Sequence, residues 1–182
     1  MDEQELIESC LRGRMEDFRM IVERYMAPAM ALAMNVLGNR DDAEDACQEL
    51  FIQVFRNLES YDKEKSFKNW VYTILYRRCL DHLKRRRRSC ELVKKIGFET
   101  VPTITDNPGH PHPSRNLPAE LLGVLKARER AALCLWANDG YTAREIGEVL
   151  GCSASTARVY LFQARKKIKK LLEQGDASLQ NG

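Results

Sequence analysis

"YTAREIGEVLGCSASTARVYLFQARKKIKKLL", residues 141–172, reads as two helices joined by a tight turn. Thr142 followed three residues later by Glu145 is a capping-box pair, in which each side chain bonds the other's backbone N–H at a helix start. Ile146 and Val149 or Leu150 then fall inward, and Gly151 supplies the turn. Ser153 caps a second helix whose Ala157, Leu161, Ala164, Ile168 and Leu171 recur at spacings of four and three, which puts them on one face. The other face carries Ser155, Thr156, Arg158, Val159, Phe162 and Gln163, then a basic end of Arg165, Lys166, Lys167, Lys169 and Lys170. A short capped helix, a glycine turn and a second helix polar in its N-terminal half is the helix-turn-helix arrangement, whose second helix enters the major groove of DNA. A helical hairpin with a solvated basic face is the alternative these residues leave open.

The rest of the composition fits a globular chain. With 182 residues, 44% hydrophobic and 30% charged, it can bury one modest core or two small ones. The start, "MDEQELIESC", is acidic where a secretory signal is basic, and the apolar run Met26–Leu37 contains Pro28 and is too short to span a bilayer. No membrane insertion and a cytoplasmic location are expected. The six cysteines (Cys10, Cys47, Cys79, Cys90, Cys134, Cys152) are scattered without a C-x-x-C pair or a histidine at ligand spacing. Neither a disulfide framework nor a metal site is expected, and no cofactor. Charge is unevenly divided: residues 1–60 hold 13 acids against 6 arginines, whereas the remainder holds 23 basic residues against 13 acids. An acidic head and a basic remainder suggest two macromolecular partners, one of them nucleic acid, with solvated helix faces as the alternative.

Upstream, apolar residues also recur at helical spacing. Phe18, Ile21, Val22 and Tyr25 form one stripe; Leu50, Val54 and Leu58 form another, with Phe51 and Phe55 beside it. "GNRDD" ends one helix at Gly38 and starts the next at Asp41 or Asp42, and Ser66 or its neighbour opens a third long one. Residues 89–118 lose periodicity and hold Pro102, Pro108, Pro111, Pro113 and Pro118, which marks a linker. His110 and His112 within it read as solvated loop residues. Order resumes with a helix over 119–138, with a break near Leu125–Ala127 and an end at Gly140. The expected fold is therefore all-α: two small helical domains, 1–88 and 119–173, joined by a flexible linker at 89–118, the second domain a helix-turn-helix, with a disordered tail at 174–182.

The segment "FKNWVYTILYRRCLDHLKRRRR" interleaves Phe67, Trp70, Tyr72 and Tyr76 with Arg77, Arg78 and the basic run Lys84–Arg88 on one helix. Rings on which bases stack and cations for the backbone suit unpaired nucleic acid; an aromatic core with solvated charge is the alternative. An enzyme is not expected. There is no phosphate-binding glycine loop, and Cys79, Asp81 and His82 point different ways around one helix axis.

Three segments, "DDAEDACQELFIQVFRNLESYD", "SFKNWVYTILYRRCLDHLKRRRR" and the stretch quoted first, in this order and spacing, resemble the bacterial sigma factors of the extracytoplasmic-function class, a branch of the sigma-70 family. The resemblance covers nearly everything except the linker. It implies a factor that binds core RNA polymerase and directs promoter recognition, DNA opening and transcription initiation. By that resemblance Asp45, Gln48, Glu49 and Ile52 contact the clamp of the largest polymerase subunit. The −10 element falls to Phe67, Asn69, Trp70, Tyr72, Thr73, Tyr76, Arg77, Lys84 and Arg85, with the loop Ser60–Lys65 beside them. Arg144, Ser155, Thr156, Arg158, Phe162, Gln163, Arg165 and Lys166 face the −35 element. Promoter DNA and core polymerase are the implied partners, and an anti-sigma inhibitor is a further one the resemblance raises. The chain departs from the family at Arg77, where Asn is common, and at Gln163, where a basic residue is. A dimeric regulator of the response-regulator output type shares the C-terminal pattern, but no parallel-strand pattern precedes residue 90 to supply its receiver domain.

Overall fold

The structure is a computed structural model and describes residues 2–95 and 117–179. The linker residues 96–116, with His110 and His112, and residues 180–182 lie outside the described residues. Eight α-helices and one 3₁₀ turn make up the fold among those described. They are α1 (Glu3–Leu11), α2 (Glu16–Leu37), α3 (Arg40–Asn57), the turn Leu58–Ser60, α4 (Phe67–Lys95), α5 (Ala119–Val124), α6 (Ala127–Asp139), α7 (Ala143–Leu150) and α8 (Ala154–Leu179). No strand occurs among the described residues, so the receiver-type alternative has no sheet here to rest on.

Local chemistry accounts for the boundaries. Asp2 and Glu5 close a capping box at α1. Gly38 takes the left-handed conformation that ends α2, and Asn39 caps α3 by accepting from the Asp42 N–H at 2.9 Å. α3 thus starts at Arg40, a residue before the expected start at Asp41 or Asp42. Ser66 Oγ accepts from the Asn69 N–H at 3.3 Å, just ahead of α4. α4 runs past the arginines to Lys95, so the segment from Ser89 is helical rather than linker: it contains no proline or glycine, and Arg87 pairs with Glu91 one turn on at 2.9 Å. α8 likewise continues to Leu179 instead of giving way to a tail at residue 174. Lys169 and Glu173 pair across its exposed side at 3.7 Å, the same i, i+4 support.

Both apolar stripes of the N-terminal half are packed. Ile21 and Tyr25 are buried, as are Leu50, Phe51, Val54 and Leu58, whereas Phe55 stays at the surface against the edge of Phe18. α1–α4 form the first domain and α6–α8 the second, and the two are docked on each other along α2–α6 and α4–α7. One continuous buried cluster runs from Leu6, Leu32 and Leu75 through Leu135, Tyr141 and Ile146 to Leu161. A smaller cluster of Leu125, Leu133 and Ala164 closes α5 onto α6 and α8. At the junction Arg130 donates to the carbonyls of Leu122 (2.6 Å), Leu125 (3.0 Å) and, from the first domain, Val36 (2.5 Å). Nearby, Asn35 of α2 accepts from the Leu117 N–H at 2.6 Å and donates to Cys134 Sγ at 3.2 Å. All six cysteines are free thiols, and Cys10, Cys47, Cys79 and Cys134 are buried.

Candidate nucleic-acid interface

The turn between α7 and α8 is built as its residues dictate. Thr142 and Glu145 form the reciprocal cap, with the Thr142 hydroxyl and then its N–H each donating to Glu145 at 2.7 Å, which holds the Glu145 carboxyl below its usual range. Gly151 is left-handed at φ +67°, and the Cys152 N–H returns to the Gly147 carbonyl at 2.9 Å. That return brings backbone against α7: a Cβ on Gly147 would lie 2.7 Å from the Cys152 oxygen. Ser153 caps α8 by accepting from the Thr156 N–H at 3.1 Å.

α8 then buries Ala157, Leu161 and Ala164 and turns Ser155, Arg158, Phe162, Gln163, Arg165 and Lys166 outward. Phe162 is 64% exposed and Val159 53%, apolar surface on an otherwise polar face, suited to the methyl groups of thymine. Thr156 is half-buried, its hydroxyl 2.9 Å from that of Ser153, so it serves the cap. Arg144 is exposed and pairs with Glu148 at 3.4 Å. The Arg165 guanidinium stacks 4.6 Å over the ring of Trp136, an α6 residue the sequence reading did not single out.

The helix α4 departs further from expectation. Phe67 is buried inside its own domain, edge-on to Tyr25 and Tyr61 at 5.7 and 5.0 Å. Trp70 is half-buried beside them, 5.2 Å from Tyr61. Tyr72 and Tyr76 are buried against the second domain rather than presented to solvent. The Tyr72 hydroxyl donates to Asp139 at 3.2 Å, and its ring lies 6.0 Å from that of Tyr141. Burial, with the Asp139 charge second, raises the Tyr72 phenol above its usual range, and burial pushes Tyr76 up to about 12. Asn69 is half-buried and donates to Glu148 at 3.0 Å; Thr73 is half-buried and donates to the Asn69 carbonyl at 2.7 Å. Arg77, Lys84 and Arg85 are exposed. Lys68, absent from the expected set, donates to Asp139 at 2.8 Å and lies 5.5 and 5.1 Å from the ring centroids of Tyr72 and Tyr141. The loop before α4 is tied locally: Asp62 accepts from the Glu64 N–H at 3.1 Å, and Lys63 reaches Glu8 of α1 at 3.3 Å. Between that loop and α1 is a small pocket of about 190 Å³.

On α3, Asp45, Gln48 and Ile52 are exposed along one face, as residues three and four apart should be. Glu49 shares the face but is engaged with α4, where it accepts from Arg85 at 3.1 Å and lies 3.4 Å from His82 Nε2. Ile52 and Glu49 from the one expected set and Lys84 and Arg85 from the other line a single groove of about 870 Å³ between α3 and α4. The spacing along the chain could not have shown that these sets adjoin. No cluster of metal-ligating side chains occurs among the described residues.

Comparison with known proteins follows the same division. The family described as sigma-70 region 2 matches residues 21–89, and the one described as sigma-70, region 4 matches residues 119–168. The ECF RNA polymerase sigma factor SigE of Mycolicibacterium smegmatis is 31% identical over 84% of this chain, which spans 60% of that relative's length. ECF RNA polymerase sigma factor SigW of Bacillus subtilis is 24% identical over 91% of the chain and 94% of its own length. The ECF RNA polymerase sigma-E factor of Escherichia coli is 25% identical over 92% and 93%. Among solved structures, the sigma factor RpoE in complex with the anti-sigma factor NepR from Bartonella quintana superposes with a TM-score of 0.70 at 22% identity, covering 87% of this chain and 98% of that one. CnrH in complex with the cytosolic domain of CnrY gives 0.68 at 22% identity, with 94% and 97% covered.

Proposed function

Because the chain belongs to the sigma-70 family, in its extracytoplasmic-function class, we propose that it binds core RNA polymerase, carries it to promoters and opens the DNA there. The observation that carries this reading is the pairing of two surfaces on one chain. One is the exposed α3 face of Asp45, Gln48 and Ile52; the other is the outward face of α8 behind a tightly closed helix-turn-helix turn. In this reading α3 docks on the clamp of the largest polymerase subunit, with Glu49 holding α3 to α4 and meeting the clamp from the same face. The α8 residues Arg158, Phe162 and Gln163, with Ser155, read the −35 element. Arg144, Arg165 and Lys166 hold phosphates around it, gaining affinity by counterion release. Opening of the −10 element falls to α4 and the loop Ser60–Lys65, which bind unstacked bases and so draw the duplex toward the melted form. The factor contributes binding rather than covalent chemistry, and it works in the cytoplasm where polymerase and promoter are. No helix among the described residues is long and apolar enough to cross a membrane. An anti-sigma protein is a partner in the same proposal, since one structural neighbour is in complex with an anti-sigma factor.

Run-off transcription with purified core polymerase, with and without this protein, on a promoter library is the test. Promoter-specific transcripts are expected only when the factor is present. Asp45→Arg combined with Ile52→Glu should abolish both core binding and transcripts while the helical signal and melting temperature stay at wild-type values, because both side chains are exposed. Retained core binding would remove α3 from the docking surface.

A further inference from the structure

The groove between α3 and α4 gathers more positive charge than its own acids neutralise. Its walls bring Arg56 of α3 together with Arg78, Lys84, Arg85 and Arg88 of α4 around about 870 Å³, against Glu49 and Asp81 alone. Both acids are already engaged: Glu49 accepts from Arg85 at 3.1 Å, and Asp81 lies 3.6 Å from Lys84 Nζ. Arg56 and Arg88 are exposed and form no ion pair among the described residues. Arg78 sits deeper, its side chain 33% exposed. Its Nη1 is 3.9 Å from Glu49 and 3.7 Å from Asp81, too far to hydrogen-bond, and its Nε is buried with no acceptor among the described residues. A guanidinium N–H withdrawn from water without an acceptor is costly, and an oxyanion in the groove would satisfy it.

The arrangement of these cations narrows the ligand. Arg78, Arg85 and Arg88, at spacings of seven and three, share one face of α4 and span about 15 Å of its axis, which suits an extended anion over a single phosphate. Arginine forks meet phosphate oxygens two at a time, and Gln53 and Asn57 add amide donors from the α3 wall. No aromatic ring lines the groove, so it lacks the platform on which the bases of a nucleic-acid strand stack. We propose that the groove binds a linear polyphosphate, either the bare inorganic chain or the tail of a nucleoside polyphosphate, and that its occupant obstructs polymerase docking. Glu49 and Ile52 belong both to the groove wall and to the α3 face proposed to meet the clamp, so an anion seated there crowds that face. This obstruction rests on the assignment of α3 to polymerase; the anion site does not.

The test titrates the full chain with inorganic tripolyphosphate by calorimetry in about 0.15 M salt, where exposed charges more than about 8 Å apart are screened from each other. Wild type should bind tripolyphosphate at least about tenfold more tightly than orthophosphate. Arg56→Glu with Arg88→Glu, both at exposed positions the native fold tolerates, should weaken binding about thirtyfold or more. Arg19→Glu with Arg87→Glu changes net charge equally at exposed positions outside the groove, and should leave affinity within about twofold of wild type. Equal losses in the two pairs, or equal affinity for the two anions, overturn the site. Arg78→Lys keeps the charge but removes the fork and should also weaken binding; wild-type affinity there overturns it too. ATP in place of tripolyphosphate separates the two sources: binding as tight or tighter marks a nucleoside tail, weaker binding the bare chain. A mixed-sequence single-stranded DNA of about twenty nucleotides that displaces tripolyphosphate at a lower phosphate concentration overturns the polyphosphate in favour of nucleic acid. Saturating tripolyphosphate should weaken core polymerase binding about tenfold for wild type and leave it unchanged for Arg56→Glu with Arg88→Glu; equal effects on both overturn the obstruction. Failure of the underlying assignment looks different. Asp45→Arg with Ile52→Glu would then retain core binding, an outcome on which the titrations of the free wild-type chain do not depend.

Discussion

Replacing Gly147 by alanine tests the turn on which the helix-turn-helix rests. The new Cβ would sit 2.7 Å from the Cys152 oxygen, 3.2 Å from the Ser153 carbonyl carbon and 3.3 Å from the Ala154 nitrogen. All three are backbone atoms, so no side chain can swing aside. Restoring van der Waals contact requires the turn to back away from α7 by roughly 0.7 Å, which also stretches the closing bond from the Cys152 N–H to the Gly147 carbonyl. Overpacking of this kind costs about 1–3 kcal/mol. Against it stands the helix-propensity gain of alanine over glycine, about 1 kcal/mol. The net expectation is a loss of about 1 kcal/mol, or about 2–4 °C in Tm for a chain of this length. Tilting of α8 relative to α7 should also weaken binding to duplex promoter DNA. Gly123 is the control: it lies near the end of α5 with nothing within 4 Å of its would-be Cβ, so Gly123→Ala should leave Tm unchanged or raise it. Thermal melts followed by circular dichroism, paired with duplex-binding titrations, read both effects. If Gly147→Ala matched Gly123→Ala in Tm and bound duplex as wild type does, the close approach of turn and helix would be refuted, and with it the assignment of α8 as the groove-entering helix.

Three further outcomes are expected. Arg158→Ala should cost about 1–3 kcal/mol on the cognate −35 element and relax preference at one base position, whereas Lys166→Ala should weaken every sequence alike; competition binding on a −35 library separates the two. Arg130→Met removes the donors to the carbonyls of Val36, Leu122 and Leu125 at the domain junction and should lower stability by about 2–3 kcal/mol in a urea titration, with a wild-type midpoint counting against the junction. Burial raises the phenols of Tyr25, Tyr72, Tyr76 and Tyr141, so the fold favours their neutral forms. Their contribution is complete below the unfolded value of about 10 and is lost as pH rises through the folded values, of which Tyr76 stands at about 12. Tyrosinate absorbance should therefore lag behind that of denatured chain above about pH 10, with helicity falling as it catches up; coincident titrations would contradict the burial.

Local features were legible because local chemistry decides them. Thr142 and Glu145 announce a cap, Gly151 a turn, and the Ala157–Leu161–Ala164 spacing a buried face, and each of these needs only neighbours in sequence. What covers a face is a different matter. The rings of Tyr72 and Tyr76 look the same in sequence whether they meet a base or a neighbouring domain, and the Asp139 that meets Tyr72 and Lys68 is some seventy residues away. Phe67 read as a base-stacking ring because the spacing of α4 carries no trace of Tyr25, which arrives from α2 to bury it. Glu49 read as a free contact for the same reason, since its partners Arg85 and His82 belong to another helix. The extent of α4 was misjudged through periodicity: the apolar pattern fades after residue 88 and prolines follow further on, which suggested a linker, yet nothing between Ser89 and Lys95 breaks a helix.

That uninterrupted α4 has a mechanical side. With no proline or glycine between Phe67 and Lys95, it is a rod about 43 Å long whose resistance to sharp bending comes from an unbroken hydrogen-bond ladder. Asn69 and Arg85 are about 24 Å apart along its axis and about 160° apart around it, so they point to nearly opposite sides. Arg85 is fastened to α3 through Glu49. A torque applied to α3 is therefore delivered to the far end of the rod with little lost to flexing, and a small roll at Arg85 sweeps Asn69 the other way, as the two ends of a crankshaft move.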